Sequence, residues 1–160
     1  MFATLLVLLV SLALVGAGLM AGVYFAFSAF IMRAFDRLGP SRATQAMNAI
    51  NVDILRSAFM PLFFGSTLIH AALVGIALLD ADLAGRGWLI AIGLVYVLGM
   101  FLCTALFNVP LNNRLAAAES DCTDATWRHY LVYWTRWNHL RAACSLLATL
   151  GSLHWLISHA

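Results

Sequence analysis

The polar side chains best suited to chemistry lie in two short segments in the second half of the chain. One is Asn-Val-Pro-Leu-Asn at 108–112, and the other is Trp-Thr-Arg-Trp-Asn-His-Leu-Arg at 134–141. Amide and guanidinium groups donate hydrogen bonds, and an imidazole can also accept a proton near neutral pH. Both segments adjoin strongly apolar sequence, where an unpaired polar group costs roughly 2–7 kcal/mol. We therefore look for the function of the protein in these two segments.

The composition identifies the setting in which these groups must work. Hydrophobic residues make up 63% of the 160-residue chain and charged residues only 10%, whereas about 25% of the residues of a soluble domain are charged. We conclude that the chain is an integral membrane protein, and we expect a single domain of four transmembrane helices. Stretches long enough to cross about 30 Å of hydrocarbon lie at about 2–32, 58–79, 88–107 and 142–158.

The arginines are distributed unevenly among the connections. Arg86 lies in the short 80–87 loop, and the others lie in or beside the two longer connections, at positions 33, 37, 42, 56, 114, 128, 136 and 141. By the positive-inside rule, we expect loops 33–57 and 108–141 to be cytoplasmic and both termini to be outside, in a bacterial inner membrane. The net charge of +2 is then a topology signal, and we expect no nucleic-acid partner.

Both long connections show helical patterns. We expect one helix to begin with Ser41 as its N-cap, run through 43–55 and continue into the second span with a kink at Pro61. Thr123 or Asp124 can cap another helix that continues into the fourth span. The predicted fold class is thus an all-α four-helix bundle with two long helices extending into the cytoplasm. Similar residue orders in the two halves suggest a tandem two-helix repeat, although chance similarity would also explain them.

Helical spacing places most polar and aromatic residues of the fourth helix on one face. We expect this face to point into the bundle; it comprises Trp127, Tyr130, Trp134, Asn138, Arg141, Ser145, Thr149 and Ser152. His139 lies about 100° from Asn138 on a regular helix, so these two side chains should not contact the same atom. On the third span Thr104, Asn108 and Asn112 share a face, which Pro110 would disturb.

The remaining polar and small residues carry weaker signals. His70 lies near mid-membrane without a second histidine or a carboxylate one turn away, so we expect a hydrogen-bonded structural role. The three cysteines show no metal or redox spacing and should pack. Whether a metal or haem is bound is unknown from the sequence. Gly18 and Gly22 form a small-residue face that would allow a homodimer.

Four motifs resemble, in order, those of a known membrane family. They are Gly22-Val-Tyr-Phe-Ala-Phe-Ser28, Ala46-Met-Asn-Ala-Ile-Asn51, Asn108-Val-Pro-Leu-Asn112 and Trp134-Thr-Arg-Trp-Asn-His-Leu-Arg141. Together they resemble the anthrone-oxygenase-like family of small four-helix membrane proteins, also catalogued as a domain of unknown function. Some fungal members oxidise a polyphenolic anthrone to the anthraquinone, and most bacterial members have no assigned role. The chain departs from the family where we expect Asn-Pro, because Arg56-Ser57 stands there.

The resemblance implies an oxidoreductase that uses O2 on a polycyclic phenolic or other small, lipophilic aromatic molecule. An anthrone has an acidic C–H, and its removal gives an enolate that can react with O2 without a redox cofactor. The enzyme would need a base and donors for the developing oxyanion. On this hypothesis His139 is the catalytic base, and Arg141 and Asn138 are catalytic donors. The substrate-binding residues would be Tyr24, Asn51, Asn108, Asn112, Trp134 and Trp137.

Two other functions remain open. A non-catalytic membrane protein that binds a lipid or quinone, or that acts in assembly, would use the same residues as interhelical hydrogen bonds and interfacial anchors. Substitution of His139 would then affect no turnover. A transporter or channel would need a polar path across the bilayer, but only His70 and small hydroxyl groups continue toward the outer face.

Overall fold

The computed structural model describes residues 1–118 and 123–159, and these ranges contain helices and turns but no strand. The helices are α1 (Phe2–Asp36), α2 (Pro40–Asp53), α3 (Phe59–Leu79), α4 (Arg86–Ala117) and α5 (Asp124–His159). All except α2 are long and apolar enough to cross a membrane. The predicted all-α membrane bundle is therefore confirmed.

Three of the spanning helices are longer than the hydrocarbon layer requires. Helices α1, α4 and α5 have 35, 32 and 36 residues, which at 1.5 Å per residue is roughly 50 Å for each. Their extra turns lie at the same end of the bundle as α2. There the four helices enclose a core of their own, built from Met32, Ala43, Met47, Leu111, Leu115, Trp127, Tyr130 and Trp134.

The four spanning helices surround a continuous apolar interior. Helix α1 packs against α3 and α5, and α4 packs against the same two helices. Small residues allow close approach at several crossings: a Cβ on Gly93 would lie 2.8 Å from the carbonyl oxygen of His70. Gly22 has no neighbour within 4 Å of such a Cβ, and Gly18 meets only Thr149. The homodimer through the Gly18 and Gly22 face stays a prediction.

The chain between α2 and α3 is not the continuous helix that we predicted. A single 3₁₀ turn, Ile54–Arg56, leads to an extended Ser57 with φ −99° and ψ 169°. Pro61 explains this break, because its ring would clash with the carbonyl four residues earlier and it has no N–H to bond that carbonyl. Pro61 itself lies in the first turn of α3, so the predicted kink is instead a break before the helix.

The starts of α2 and α5 correct one predicted cap and confirm another. Helix α2 begins at Pro40 with Gly39 as N-cap, not with Ser41, and Gly39 has a φ of 81°. Glycine adopts this left-handed conformation without steric cost, and the fixed φ of proline suits the first helical position. At the start of α5, Thr123 Oγ1 accepts a hydrogen bond from the backbone N–H of Thr126 at 3.3 Å, as predicted for an N-cap.

Helices α1 and α4 contain π-helical turns, at Phe27–Ile31 in α1 and at Val97–Leu102 and Thr104–Asn108 in α4. A π turn inserts an extra residue and shifts the hydrogen-bond ladder, and such turns often occur at functional sites. The last of them directly precedes Pro110, whose missing N–H interrupts a regular helix. Each half of the chain thus has a π turn in its first helix, although the tandem repeat stays a prediction.

Candidate functional site

A cavity of about 380 Å³ lies where all five helices meet, and this volume is in the range of small-molecule sites. Its walls are mostly apolar, and they include a set of aromatic rings from Tyr24, Phe27, Phe59, Phe63, Phe64, Phe101 and Trp134. Its polar groups come from Tyr24, Asn51, Thr104, Asn112, Asn113, Trp134 and Arg141. The cavity therefore combines flat hydrophobic surfaces with a small number of hydrogen-bonding groups.

Arg141 is the charged group of this cavity and is only 5% exposed. Its Nη2 donates a hydrogen bond to Asn138 Oδ1 at 2.7 Å, and its Nη1 donates to Thr104 Oγ1 at 3.3 Å. The guanidinium carbon lies 4.3 Å from the centre of the Tyr24 ring and 5.1 Å from that of Trp134. All four partners are neutral, and the two rings provide cation–π attraction.

Asn138 fixes the position of Arg141 from behind the cavity wall. Its side chain is fully buried, and its Nδ2 donates to the carbonyl oxygen of Tyr24 and to Ser28 Oγ, both at 2.7 Å. These acceptors lie at the π turn of α1. Asn138 therefore joins α5 to α1 while its own oxygen accepts from the guanidinium.

A second polar chain crosses the cavity from α5 to α2. The Tyr130 hydroxyl donates to Asn112 Oδ1 at 2.8 Å, and Asn112 Nδ2 donates to Asn51 Oδ1 at 3.1 Å. Because α5, α4 and α2 each contribute one member, the chain connects three helices. It also fixes the orientation of the Asn51 amide.

Three residues of the cavity lining each carry a buried N–H donor without a hydrogen-bond partner among the described residues. The donors are Asn51 Nδ2, Trp134 Nε1 and Arg141 Nε. A buried donor without an acceptor costs about 1–3 kcal/mol. The aromatic walls and the few polar side chains of the lining together suit a ligand that is flat, largely apolar and oxygen-bearing.

The structure brings together most of the residues that the sequence nominated. Tyr24, Asn51, Asn112, Trp134 and Arg141 all line the cavity. Asn138 does not line it but holds Arg141 directly. The predicted inward face of α5 is also observed, since its members are buried apart from the partly buried Thr149.

Besides Asn138, three nominated residues lie outside the cavity. Asn108 is buried and donates to the carbonyl oxygen of Trp134 at 3.3 Å, so it supports the α4–α5 contact. Trp137 stacks on Phe107 with ring centres 3.8 Å apart. His139 is exposed and lines a separate pocket of about 280 Å³ on the α1–α5 surface. Its role as a base stays a prediction, but the structure does not bring it to the other site residues.

His70 occupies the core rather than the cavity. It is fully buried, its Nδ1 lies 2.7 Å from the carbonyl oxygen of Ser66, and its ring stacks on Tyr96 at 3.9 Å. This is the arrangement expected for a structural histidine. Within residues 1–118 and 123–159, no three His, Cys, Asp or Glu side chains are grouped as metal ligands would be.

The sequence analysis missed the wall that α3 contributes. Phe59 and Phe63 lie one turn apart with ring centres separated by 5.9 Å, and Phe63 contacts Phe101 of α4 at 5.4 Å. The spacing of Phe59 and Phe63 was a signal for a shared face. It could not be distinguished from ordinary core packing, because most phenylalanines of a membrane helix have no functional role.

Comparison with known proteins identifies the family. The sequence profile described as anthrone oxygenase matches residues 56–151, which is more than half of the chain. This range includes Asn112, Trp134 and Arg141 but not Tyr24 or Asn51. No curated protein and no solved structure matches the chain. The chain belongs to the anthrone oxygenase family.

Proposed function

We propose that the protein is a membrane-embedded oxidoreductase that oxidises a flat, lipophilic phenolic compound with O2. The main support is the cavity in which the polar side chains of Asn51, Trp134 and Arg141 lie among aromatic walls. Such a site binds the rings by stacking and the ring oxygens by hydrogen bonds. An anthrone, which the family name indicates as a substrate class, has both features.

The chemistry that this site would assist starts from the anion that is left when the carbon between the rings has lost a proton to water. The electron pair then delocalises onto the opposite oxygen, and Arg141 and Asn51 would donate hydrogen bonds to that oxygen. Donors fixed in advance in a dry site stabilise such charge strongly. The carbanion adds to O2, and the resulting peroxide anion takes up one proton to form a carbon-bound hydroperoxide, which loses water to leave a carbonyl group. One anthrone and one O2 thus give one anthraquinone and one water.

We infer that the cavity opens to the outer surface of the bundle between α3 and α4, because exposed side chains line it there. Leu55, Phe64 and Val109 line the cavity and are also 64%, 47% and 43% exposed. We propose that a lipophilic substrate enters here from the bilayer. We further propose a bacterial inner-membrane location, with loops 33–57 and 108–141 in the cytoplasm and both termini outside.

Oxygen consumption with emodin anthrone tests this function. Purified protein in lipid nanodiscs should consume one O2 for each quinone formed, and Arg141→Met should reduce this rate by about 10²–10³-fold, as loss of an oxyanion donor does. Arg136→Gln is the matched control, because Arg136 is an exposed arginine on the same helix and should keep the wild-type rate. The proposal is refuted for anthrones if folded wild-type protein, purified without loss of any bound metal or chromophore, consumes no O2 with emodin anthrone.

One observation favours a second candidate, a non-catalytic site for a lipid or quinone. The described residues that line the cavity include no His, Asp or Glu, and the nominated base His139 lies elsewhere. A cavity without an obvious base can bind an aromatic carbonyl compound without turning it over. A quinone that copurifies with the protein and does not react with O2 would support this function.

A further inference from the structure

We propose that the cavity binds its ligand as an organic monoanion, an ionised phenol or enol, whose charge compensates that of Arg141. The inference deepens the proposed function and rests on it for the choice of an aromatic hydroxyl compound. The charge argument itself depends only on the surroundings of Arg141.

The first step is that Arg141 is a buried cation without a counter-ion. Its hydrogen-bond acceptors are an amide and a hydroxyl, Asn138 and Thr104, and among the described residues no carboxylate is paired with it or lines the cavity. Removing an unpaired ion from water costs several kcal/mol, and cation–π contacts contribute only about 0.5–2 kcal/mol each. An anionic ligand would offset the remaining cost.

The second step is that Arg141, a residue of the cavity lining, has more hydrogen-bond donors than protein acceptors. Of the five N–H groups of a guanidinium, one on Nη1 and one on Nη2 donate to Thr104 and Asn138, and Nε has no acceptor among the described residues. The indole N–H of Trp134 is also without an acceptor, and the Trp134 ring lies against the guanidinium. A negatively charged oxygen is the acceptor that gains most from such donors.

The third step concerns the proton. Because the described lining contains no carboxylate or imidazole, a neutral hydroxyl compound inside the cavity would have no strong acceptor for its proton. The ionised form would therefore bind directly, after its O–H bond has released the proton to water at the membrane surface. The bound molecule then already carries the electron pair that it later donates to O2, and no side chain needs to act as a base.

The aromatic walls decide which class of monoanion fits. Rings from Tyr24, Phe27, Phe63 and Trp134 face the cavity, and flat aromatic molecules stack on such rings. A phenolate or enolate on a fused-ring skeleton places its charge in the plane of that skeleton, where the guanidinium and indole donors can reach it. A fatty-acid carboxylate would match the charge but not the walls.

Emodin is a suitable probe, because this hydroxylated anthraquinone changes its absorption spectrum when a hydroxyl group ionises. We would titrate emodin with wild-type protein in nanodiscs over a pH series that brackets ionisation of the free dye. Binding should lower the pKa of the dye by about 1–3 units, as a neighbouring arginine does for an acid. Arg141→Lys should keep a downward shift, Arg141→Met should lose it, and Arg136→Gln should match the wild type.

The same titration separates this inference from the proposed function. A wild-type protein that binds emodin in its neutral form, or that does not bind it, would overturn the inference even if anthrone is oxidised. Unsubstituted anthraquinone, which cannot ionise, should bind at least tenfold more weakly, and equal binding would also overturn it. This comparison needs no variant, so it decides the question even if Arg141→Met fails to fold. If the protein lowers the pKa of emodin but consumes no oxygen with the anthrone, it binds anions without oxidase activity. In that case the inference stands and the proposed function fails.

Discussion

Replacement of Asn138 by alanine should strongly destabilise the protein. The substitution removes two hydrogen bonds that Asn138 Nδ2 donates, to the Tyr24 carbonyl oxygen and to Ser28 Oγ, both at 2.7 Å. It also removes the oxygen that accepts a hydrogen bond from Arg141 Nη2 at 2.7 Å. A hydrogen bond between membrane helices contributes about 0.6 kcal/mol on average and up to about 1.7 kcal/mol, and one to a charged group about 1.5–3 kcal/mol. We therefore expect a loss of about 3–6 kcal/mol in the free energy of unfolding.

The neighbouring His139 provides a matched control on the same turn of α5. His139 is exposed, so His139→Ala should change the free energy of unfolding by less than about 0.5 kcal/mol. Both variants would be measured by reversible unfolding in mixed detergent micelles and by oxygen consumption. We expect Asn138→Ala to lose turnover, because Arg141 loses its anchor, and His139→Ala to keep it.

Two results would refute this reasoning. An Asn138→Ala protein as stable as His139→Ala would show that the three contacts contribute little in the membrane. A His139→Ala protein that unfolds like the wild type but has lost its turnover would support the base that the family resemblance implied, and would mean that His139 reaches the substrate by a rearrangement of α5.

The packing, access and topology of the bundle give three further predictions. Gly93→Ala should destabilise the protein by about 1–3 kcal/mol in the unfolding assay, because the new methyl group would lie 2.8 Å from the His70 carbonyl oxygen. Gly75→Ala, which meets nothing within 4 Å, should instead stabilise it by up to about 1 kcal/mol. Ala105→Trp should lower kcat/KM by narrowing the opening between α3 and α4, and an unchanged value would place the access route elsewhere. Arg37→Cys, as the single cysteine of the protein, should react with a membrane-impermeant thiol reagent only in inverted vesicles. Reaction in intact cells would show that the topology is the opposite of the predicted one.

The sequence predicted the membrane spans and the inward face of α5 well, because both depend on simple regularities. Long apolar runs specify spanning helices whatever packs against them. Helix α5 is regular from Asp124 to His159, so the period of 3.6 residues correctly placed Asn138 and Arg141 inside and His139 on a different side of the helix. The break before α3, where we predicted a kink in a continuous helix, has a local cause, since Pro61 acts on the carbonyl four residues earlier.

The sequence-based predictions that were wrong or missing concern features that depend on irregular helix geometry or on contacts between distant parts of the chain. On α4 a constant helical period placed Thr104, Asn108 and Asn112 on one face, but Thr104–Asn108 is a π turn, which changes the register between Thr104 and Asn108. Asn112 bonds to Asn51 of α2, whereas Asn108 bonds to the backbone of α5. The aromatic wall of Phe63 and Phe101 forms only when α3 and α4 pack together, and no local pattern specifies that contact.

The opening between α3 and α4 has a kinetic consequence. If the ligand reaches the cavity past Leu55, Phe64 and Val109, the protein binds molecules that are dissolved in the lipid bilayer and diffuse in its plane, not molecules dissolved in the cytoplasm. Its turnover is then governed by the mole fraction of substrate in the lipid, and adding inert lipid at a constant total amount of substrate slows the reaction. A poorly water-soluble compound partitions into the bilayer and is concentrated there, so modest intrinsic affinity is sufficient to fill the site.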